Sequence, residues 1–315
     1  MTYDEFLNTI KERAQERLGK LYKVSIKKVL KNNGVLKDAL CLSKTEAITK
    51  PALYLNAYYD LYQGEMTLDD ILDEILEVYE WNEKRQDIWT EGFLDFEKIK
   101  DRIVFRLINA GRNQALLESV PYICYQDLAI VFCIYQETQE NFLTMLIHRE
   151  HLKRWGIGEH ELYDYAKSNT PFLLPAEIKS LEEKMKEIAR ESMGDSYSEE
   201  VMNELLHSEQ DNRPIYVLSN WAGVYGAACI LYDDVLKDFS ERIKSDMIVI
   251  FSSIHEVLLI PDQDDIDIEA VKEMVRTINS TEVGEEDFLT DEVYRYSRVD
   301  GILTHADIWK TGFSR

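Results

Sequence analysis

Glycine and proline are scarce in this chain, at 13 and 6 of 315 residues, roughly half their usual share. The scarcity leaves little material for glycine-rich phosphate loops and predicts a helix-rich protein with short connections. Cysteine is sparse too. Cys41, Cys124, Cys133 and Cys229 are scattered without a CxxC pair, which excludes a zinc knuckle and a thioredoxin-type motif. Apolar runs such as Leu128–Ile134 are too short to span a bilayer. The opening Met1-Thr2-Tyr3-Asp4-Glu5 is acidic where a secretion signal is basic. These features predict a soluble, cytoplasmic protein with reduced thiols. GxSxG, HExxH and a Walker lysine are all missing. Gly156-Ile157-Gly158 lacks the third glycine of a dinucleotide loop and follows a helical segment, and Gly223 and Gly226 stand isolated, so no cofactor is expected.

Positive charge is the other deficit. Lys and Arg number 36 against 59 Asp and Glu, a net charge of −23. Such a balance excludes a generic nucleic-acid binder, which needs clustered cations, and disfavours anionic membranes. Apolar residues at 45% and charged residues at 30% still fit a folded protein rather than a disordered one. Charge is unevenly spread: residues 1–50 carry eleven Lys/Arg and six Asp/Glu. A basic opening on an acidic body suggests self-complementary packing or a polar binding surface.

Helical spacing of Phe6, Leu7, Ile10, Ala14 and Leu18 predicts a helix over 3–18, stopped by Gly19. Residues 22–26 and 36–42 alternate as strands around the turn Asn32-Asn33-Gly34, forming a hairpin. Residues 51–63 read as a tyrosine-rich helix. Tyr54, Tyr58, Tyr59 and Tyr62 share its face, a pattern more often core or interface than a base-stacking platform. The clearest element is 67–80. Leu68, Ile71, Leu72, Ile75, Leu76 and Tyr79 form its apolar stripe, and Asp69, Asp70, Asp73, Glu74, Glu77 and Glu80 its opposite face. Thr67 occupies the N-cap position.

Beyond it, strands are expected at 102–107, 127–135 and 141–147, and helices at 150–155, 159–168, 177–191 and 198–207. Asn169-Thr170-Pro171 should break the second of these helices. Residues 192–198 and 208–214 read as linkers. Later strands are expected at 215–218, 227–231, 247–251 and 255–260, with helices at 234–243 and 268–278 and a turn at 262–265. Strands and helices mix without a βαβ rhythm, so the fold class is α+β with antiparallel strands. The expected domains are a helix and hairpin module over 1–95, a β-rich middle over 96–191, and a C-terminal α+β part over 215–298.

Three constellations stand against bland alternatives. His148 and His151 are spaced for one helix turn, yet two metal ligands are missing and a strand-to-helix boundary separates them. Ser252-Ser253-Ile254-His255-Glu256 is the most enzyme-like string. Read as a strand, Ser253 and His255 point to one side, and a Ser–His dyad would need a third residue to orient the imidazole. The bland reading is a polar strand entry whose hydroxyls bond local backbone. The third is the carboxylate row Asp69, Asp73 and Glu77, about 6 Å apart along the axis, flanked by Asp70 and Glu74. Fixed negative charge at this spacing could imitate a phosphate backbone; a solvated outer face is the bland alternative. Acidic residues in 262–273 and 282–292 add a second such zone.

Lys31-Asn32-Asn33-Gly34, Pro51-Ala52-Leu53-Tyr54-Leu55-Asn56, Val120-Pro121, Asp127-Leu128-Ala129-Ile130-Val131 and Ser252-Ser253-Ile254-His255-Glu256-Val257 together resemble a domain-of-unknown-function family of gut Firmicutes, DUF5688-like, over about residues 3–298. Phe251 departs from the pattern, where that family carries proline before the paired serines. Segment 120–260 also resembles a second uncharacterised bacterial family through Trp155-Gly156-Ile157 and Ala166 to Asn169. The resemblance implies a cytoplasmic bacterial protein often encoded near mobile-element genes, and supplies no activity, cofactor or catalytic residue. It points toward conflict between mobile DNA and host defence. The expectation is a non-catalytic protein that binds another protein through an acidic surface, in its sharpest form an antagonist of a nucleic-acid-handling enzyme with a basic groove. The alternatives are a hydrolase using Ser253 and His255, or a structural or regulatory module of a larger assembly.

Overall fold

The computed structural model describes residues 1–44, 52–64, 66–83, 95–137, 142–194, 197–198, 213–262 and 266–307. Its architecture is α+β, with helices set beside three antiparallel sheets. The chain divides into two compact units, one of residues 1–100 with 153–156 and one of residues 101–152 with 157–315. Among the described residues no helix is long and apolar enough to cross a membrane.

Unit 1 opens with α1 (Tyr3–Leu18), closed at its start by a capping box between Thr2 and Glu5. Strands β1 (Tyr22–Leu30) and β2 (Leu36–Lys44) pair antiparallel from Tyr22↔Lys44 to Leu30↔Leu36. Asn33, at φ 57, and Gly34, at φ 77, turn the chain between them. Residues 52–54 form a third strand, β3 (Ala52–Tyr54), on β2, and the helix begins only at Leu55 as α2 (Leu55–Gly64). A helix over all of 51–63 is thus corrected: Leu53 and Leu55 both reach the core, but Leu53 does so from a strand. Then follows α3 (Leu68–Glu83). Phe6, Ile10 and Ala14 of α1, Val24, Leu40 and Leu42 of the sheet, and Ile71, Leu72 and Ile75 of α3 share one core. Each large side chain buried there contributes roughly 1.5–3 kcal/mol.

In unit 2, after the short helix α4 (Phe96–Ile99) of unit 1, a four-stranded sheet holds β4 (Ile103–Asn109), β5 (Tyr122–Tyr125), β6 (Leu128–Glu137) and β7 (Phe142–Leu146), with the helical turn α5 (Gln114–Leu117) between β4 and β5. Central β6 is buried from Leu128 through Tyr135. Helix α6 (Arg149–Trp155) leads into α7 (Glu159–Leu173). The latter runs through Pro171 rather than breaking at Asn169. Two of the supposed breakers bond the edge of β4 instead: Thr170 Oγ1 accepts from Phe105 N at 3.1 Å, and Asn169 Nδ2 donates to Ile103 O at 3.1 Å. This covers a strand edge that would otherwise expose unpaired backbone groups.

The larger sheet has the order β13-β12-β10-β11-β9-β8, all antiparallel. Its strands are β8 (Ala176–Ser180), β9 (Tyr216–Asn220), β10 (Met247–Phe251), β11 (Val257–Pro261), β12 (Val293–Ser297) and β13 (Ile302–His305). Residues 177–180, expected as helix, are strand. Helix α8 (Leu181–Met193) starts after them because Ser180 and Glu183 form a capping box. Residues 227–231, expected as a strand, belong to a 3-10 helix, Gly226–Leu231. Helices α9 (Val235–Ile243) and α10 (Ile268–Thr281) complete the unit, and Val275 of α10 packs on Ile248, Ile250 and Val293 of the sheet. Apart from Ser198 and Asp262, the helix expected over 198–207 and the turn expected at 262–265 lie outside the described residues.

Candidate functional site

Helix α3 presents its carboxylates in two different conditions. Asp69, Asp70, Asp73, Glu74 and Glu77 are all exposed. Asp69 pairs with Arg13 at 2.8 Å, and Asp73 pairs with Arg17. Arg13 and Arg17 are four apart on α1, as Asp69 and Asp73 are on α3, so the two helices meet in register along this edge. Asp70 serves the helix start: its backbone N–H donates to Thr67 Oγ1 at 3.2 Å, and the hydroxyl donates back to its carboxylate at 2.6 Å. Glu74 lies near Tyr58, whose phenol is raised first by burial and second by repulsion from Glu74. The row Asp69–Asp73–Glu77 is therefore one-third free. The unneutralised edge runs instead through Asp70, Glu74 and Glu77.

The string 252–256 is a turn between β10 and β11, not a strand. Alternation therefore does not decide where Ser253 and His255 point. Ser253 Oγ accepts from the His255 backbone N–H at 3.0 Å, and Ser252 Oγ donates to Glu256 O at 3.3 Å. The imidazole faces elsewhere. Its Nδ1 accepts from Tyr225 N at 3.3 Å, which puts the proton of the neutral ring on Nε2, 3.2 Å from Asp287 Oδ1. Both ring nitrogens are occupied, and neither contact is to Ser253. The serines act on local backbone in this arrangement.

His148 and His151 meet at the start of α6. The His148 backbone N–H donates to His151 Nδ1 at 2.9 Å, and the rings stand edge to face with centroids 5.7 Å apart. His151 thereby satisfies one donor at the helix start, as the glutamate of a capping box does. Among the described residues, no three His, Cys, Asp or Glu side chains gather where they could hold a metal ion.

The loop 220–226 and its neighbours form a polar assembly that the sequence reading passed over. Asn220 Oδ1 accepts from Ala222 N at 3.1 Å and Val224 N at 3.4 Å, and its Nδ2 donates to Val224 O at 2.8 Å. That bracing holds Tyr225 at φ 56, a left-handed conformation rare for a residue of its size. The Tyr225 ring stacks on His255, centroids 5.8 Å apart, and the guanidinium of Arg106 lies 4.7 Å from its centroid. Gly226 must be glycine: a Cβ there would overlap Ser219 Oγ and sit 2.5 Å from His255 O. Lone Gly226 and the Asn-Trp-Ala-Gly run were the available signals; the pairing with Arg106 left no local trace. Outside this assembly, a cavity of about 550 Å³ lies between α8 and the loop, lined by Lys179, Arg190 and Trp221 among others. Lys179 is neutralised there by Glu177 at 3.0 Å and Glu187 at 2.8 Å.

No curated protein and no solved structure matches the chain. A family model does, across residues 3–298. The protein therefore belongs to the DUF5688 family, a family of unknown function.

Proposed function

We propose that this is a non-catalytic binding protein that recognises a basic protein partner through the free edge of α3. One observation carries the reading: Asp69 and Asp73 are neutralised within the fold by Arg13 and Arg17, whereas Asp70, Glu74 and Glu77 are exposed with no cation against them among the described residues. Successive carboxylates at i, i+4 and i+7 lie about 6 and 4.5 Å apart along the axis, a rigid display matched to a row of lysines or arginines. The net charge of −23 adds long-range attraction for such a partner and repulsion of nucleic acid. A partner with a basic groove, including an enzyme that handles nucleic acid, has the required chemistry. The hydrolase alternative draws less support, because the His255 nitrogens are committed to Tyr225 and Asp287. A module of a larger assembly would use the same surface.

The test is affinity capture from the native host with the tagged chain, at about 0.05 M and 0.5 M salt, with mass spectrometry of what is held. Exposed-charge recognition is screened within a Debye length, about 10 Å at 0.1 M. The expected result is a basic protein retained at low salt and released at high salt. A partner whose capture ignores salt would sink the proposal.

A further inference from the structure

Arg106, in β4 of the four-stranded sheet, has no acidic partner among the described residues. It stands in β4 opposite Val131, on the face shared with Val104 and Cys133. Its Nε is sealed from solvent and has no hydrogen-bond partner, while the residue keeps part of its surface accessible. No Asp or Glu among the described residues interacts with it; its ionisable neighbours are Cys133 and Tyr225. Cys133 is not a counter-ion. Burial pushes its thiol up, and the guanidinium only partly offsets this, so it is neutral near pH 7. Tyr225 offers a side-chain hydrogen bond and its ring, which attract the cation without supplying an acidic counter-ion. A guanidinium cannot shed its proton in a protein, and a charge removed from water without a partner is costly. The neighbouring backbone is nonetheless built to keep this arrangement. Asn220 braces the loop, Tyr225 is held left-handed beside the guanidinium, and Gly226 has no room for a side chain.

We propose that Arg106 anchors a small oxyanion, a phosphate or a carboxylate, which completes its charge on this face of the sheet. The guanidinium fork matches the two oxygens of either group. This inference is independent of the acidic helix, which lies in the other unit.

The experiment is thermal unfolding of the full chain titrated with inorganic phosphate, and separately with acetate, against chloride at constant ionic strength. An anion that binds only the native state raises the melting temperature saturably. The expected result is such a rise with at least one of the two probes, and the more effective one identifies the ligand class. Arg106→Gln should weaken half-saturation at least tenfold. Arg106→Lys keeps the charge but loses the fork, and should weaken it less; this variant serves if Arg106→Gln does not fold. Arg102→Gln, on the same strand's approach, should behave as the parent. Curves for both anions that follow chloride would overturn the proposal, as would binding undiminished in both Arg106 variants.

Discussion

Units 1 and 2 use charge in opposite ways. Unit 1 builds its core from apolar side chains, from Phe6 to Tyr79, with buried Ser43 donating to Lys23 O at 3.4 Å, and sets its ions outside, where Arg13 and Arg17 meet Asp69 and Asp73 with all four side chains substantially exposed. Unit 2 carries polar groups into its interior. Tyr294, fully buried, donates to Asp127, and Thr290 donates to the same carboxylate at 2.6 Å. Lys272, only 5% exposed, reaches Glu292 at 3.2 Å and also Asp307. The contrast shows what a charged residue does in each place. On the surface of unit 1 the named charges pair one helix with another in the open; inside unit 2 a charge ties one sheet to another, since Asp127 precedes β6 while Thr290 and Tyr294 belong to the larger sheet and its approach.

The largest effect should come from the apolar side of α3. Leu72 is 1% exposed at the centre of the unit-1 core, and Leu72→Ala should cost about 2–5 kcal/mol through lost burial and a cavity. Asp73→Asn, on the opposite face, should leave the melting temperature nearly unchanged, because an exposed pair contributes little. Equal shifts from the two variants would break the contrast within this helix.

A smaller loss is expected from the interior polar group of unit 2. Tyr294→Phe removes a hydroxyl and leaves Asp127 with Thr290 alone, which should cost about 1–3 kcal/mol in denaturant unfolding. A neutral outcome would mean that the buried network is no more structural than the surface pairs of unit 1.

A further loss is expected only at alkaline pH. Burial pushes the Cys229 thiol up to about 12 from an ordinary value of 9.0. The folded value lies above the unfolded one, so the neutral thiol's contribution is complete below about pH 9 and is lost as pH rises toward 12. Melting temperature should fall across that window, and Cys229→Ala should fall less steeply than the parent. Parallel pH profiles would show that burial of this thiol is not coupled to folding.

Elements with strong periodicity were legible in the sequence. The stripes of α1 and α3 predicted both helices, and the alternation around Asn33-Gly34 predicted the β1–β2 hairpin. The family was legible too, from strings spread along the chain. Short segments were not. Residues 227–231 are apolar and brief, and such a run cannot be assigned to strand or helix by periodicity; they wind as a 3-10 helix. Charged Glu177 and Lys179 concealed β8, although Ser180 and Glu183 carried a readable capping box. Of the candidate site, the acidic face was visible, but its division was not, because Arg13 and Arg17 lie on another helix. The Arg106–Tyr225–His255 assembly joins three distant stretches of chain, and only the tertiary fold reveals it.

The most direct test sets the two edges of α3 against each other. Asp70→Asn, Glu74→Gln and Glu77→Gln together neutralise the free edge; Asp69→Asn with Asp73→Asn neutralises the edge already paired to α1. Binding of both variants to the partner captured at low salt should be titrated beside the parent. The account predicts that the free-edge variant loses most of its affinity at unchanged melting temperature, while the paired-edge variant binds nearly as the parent does. Equal binding by all three proteins would contradict it.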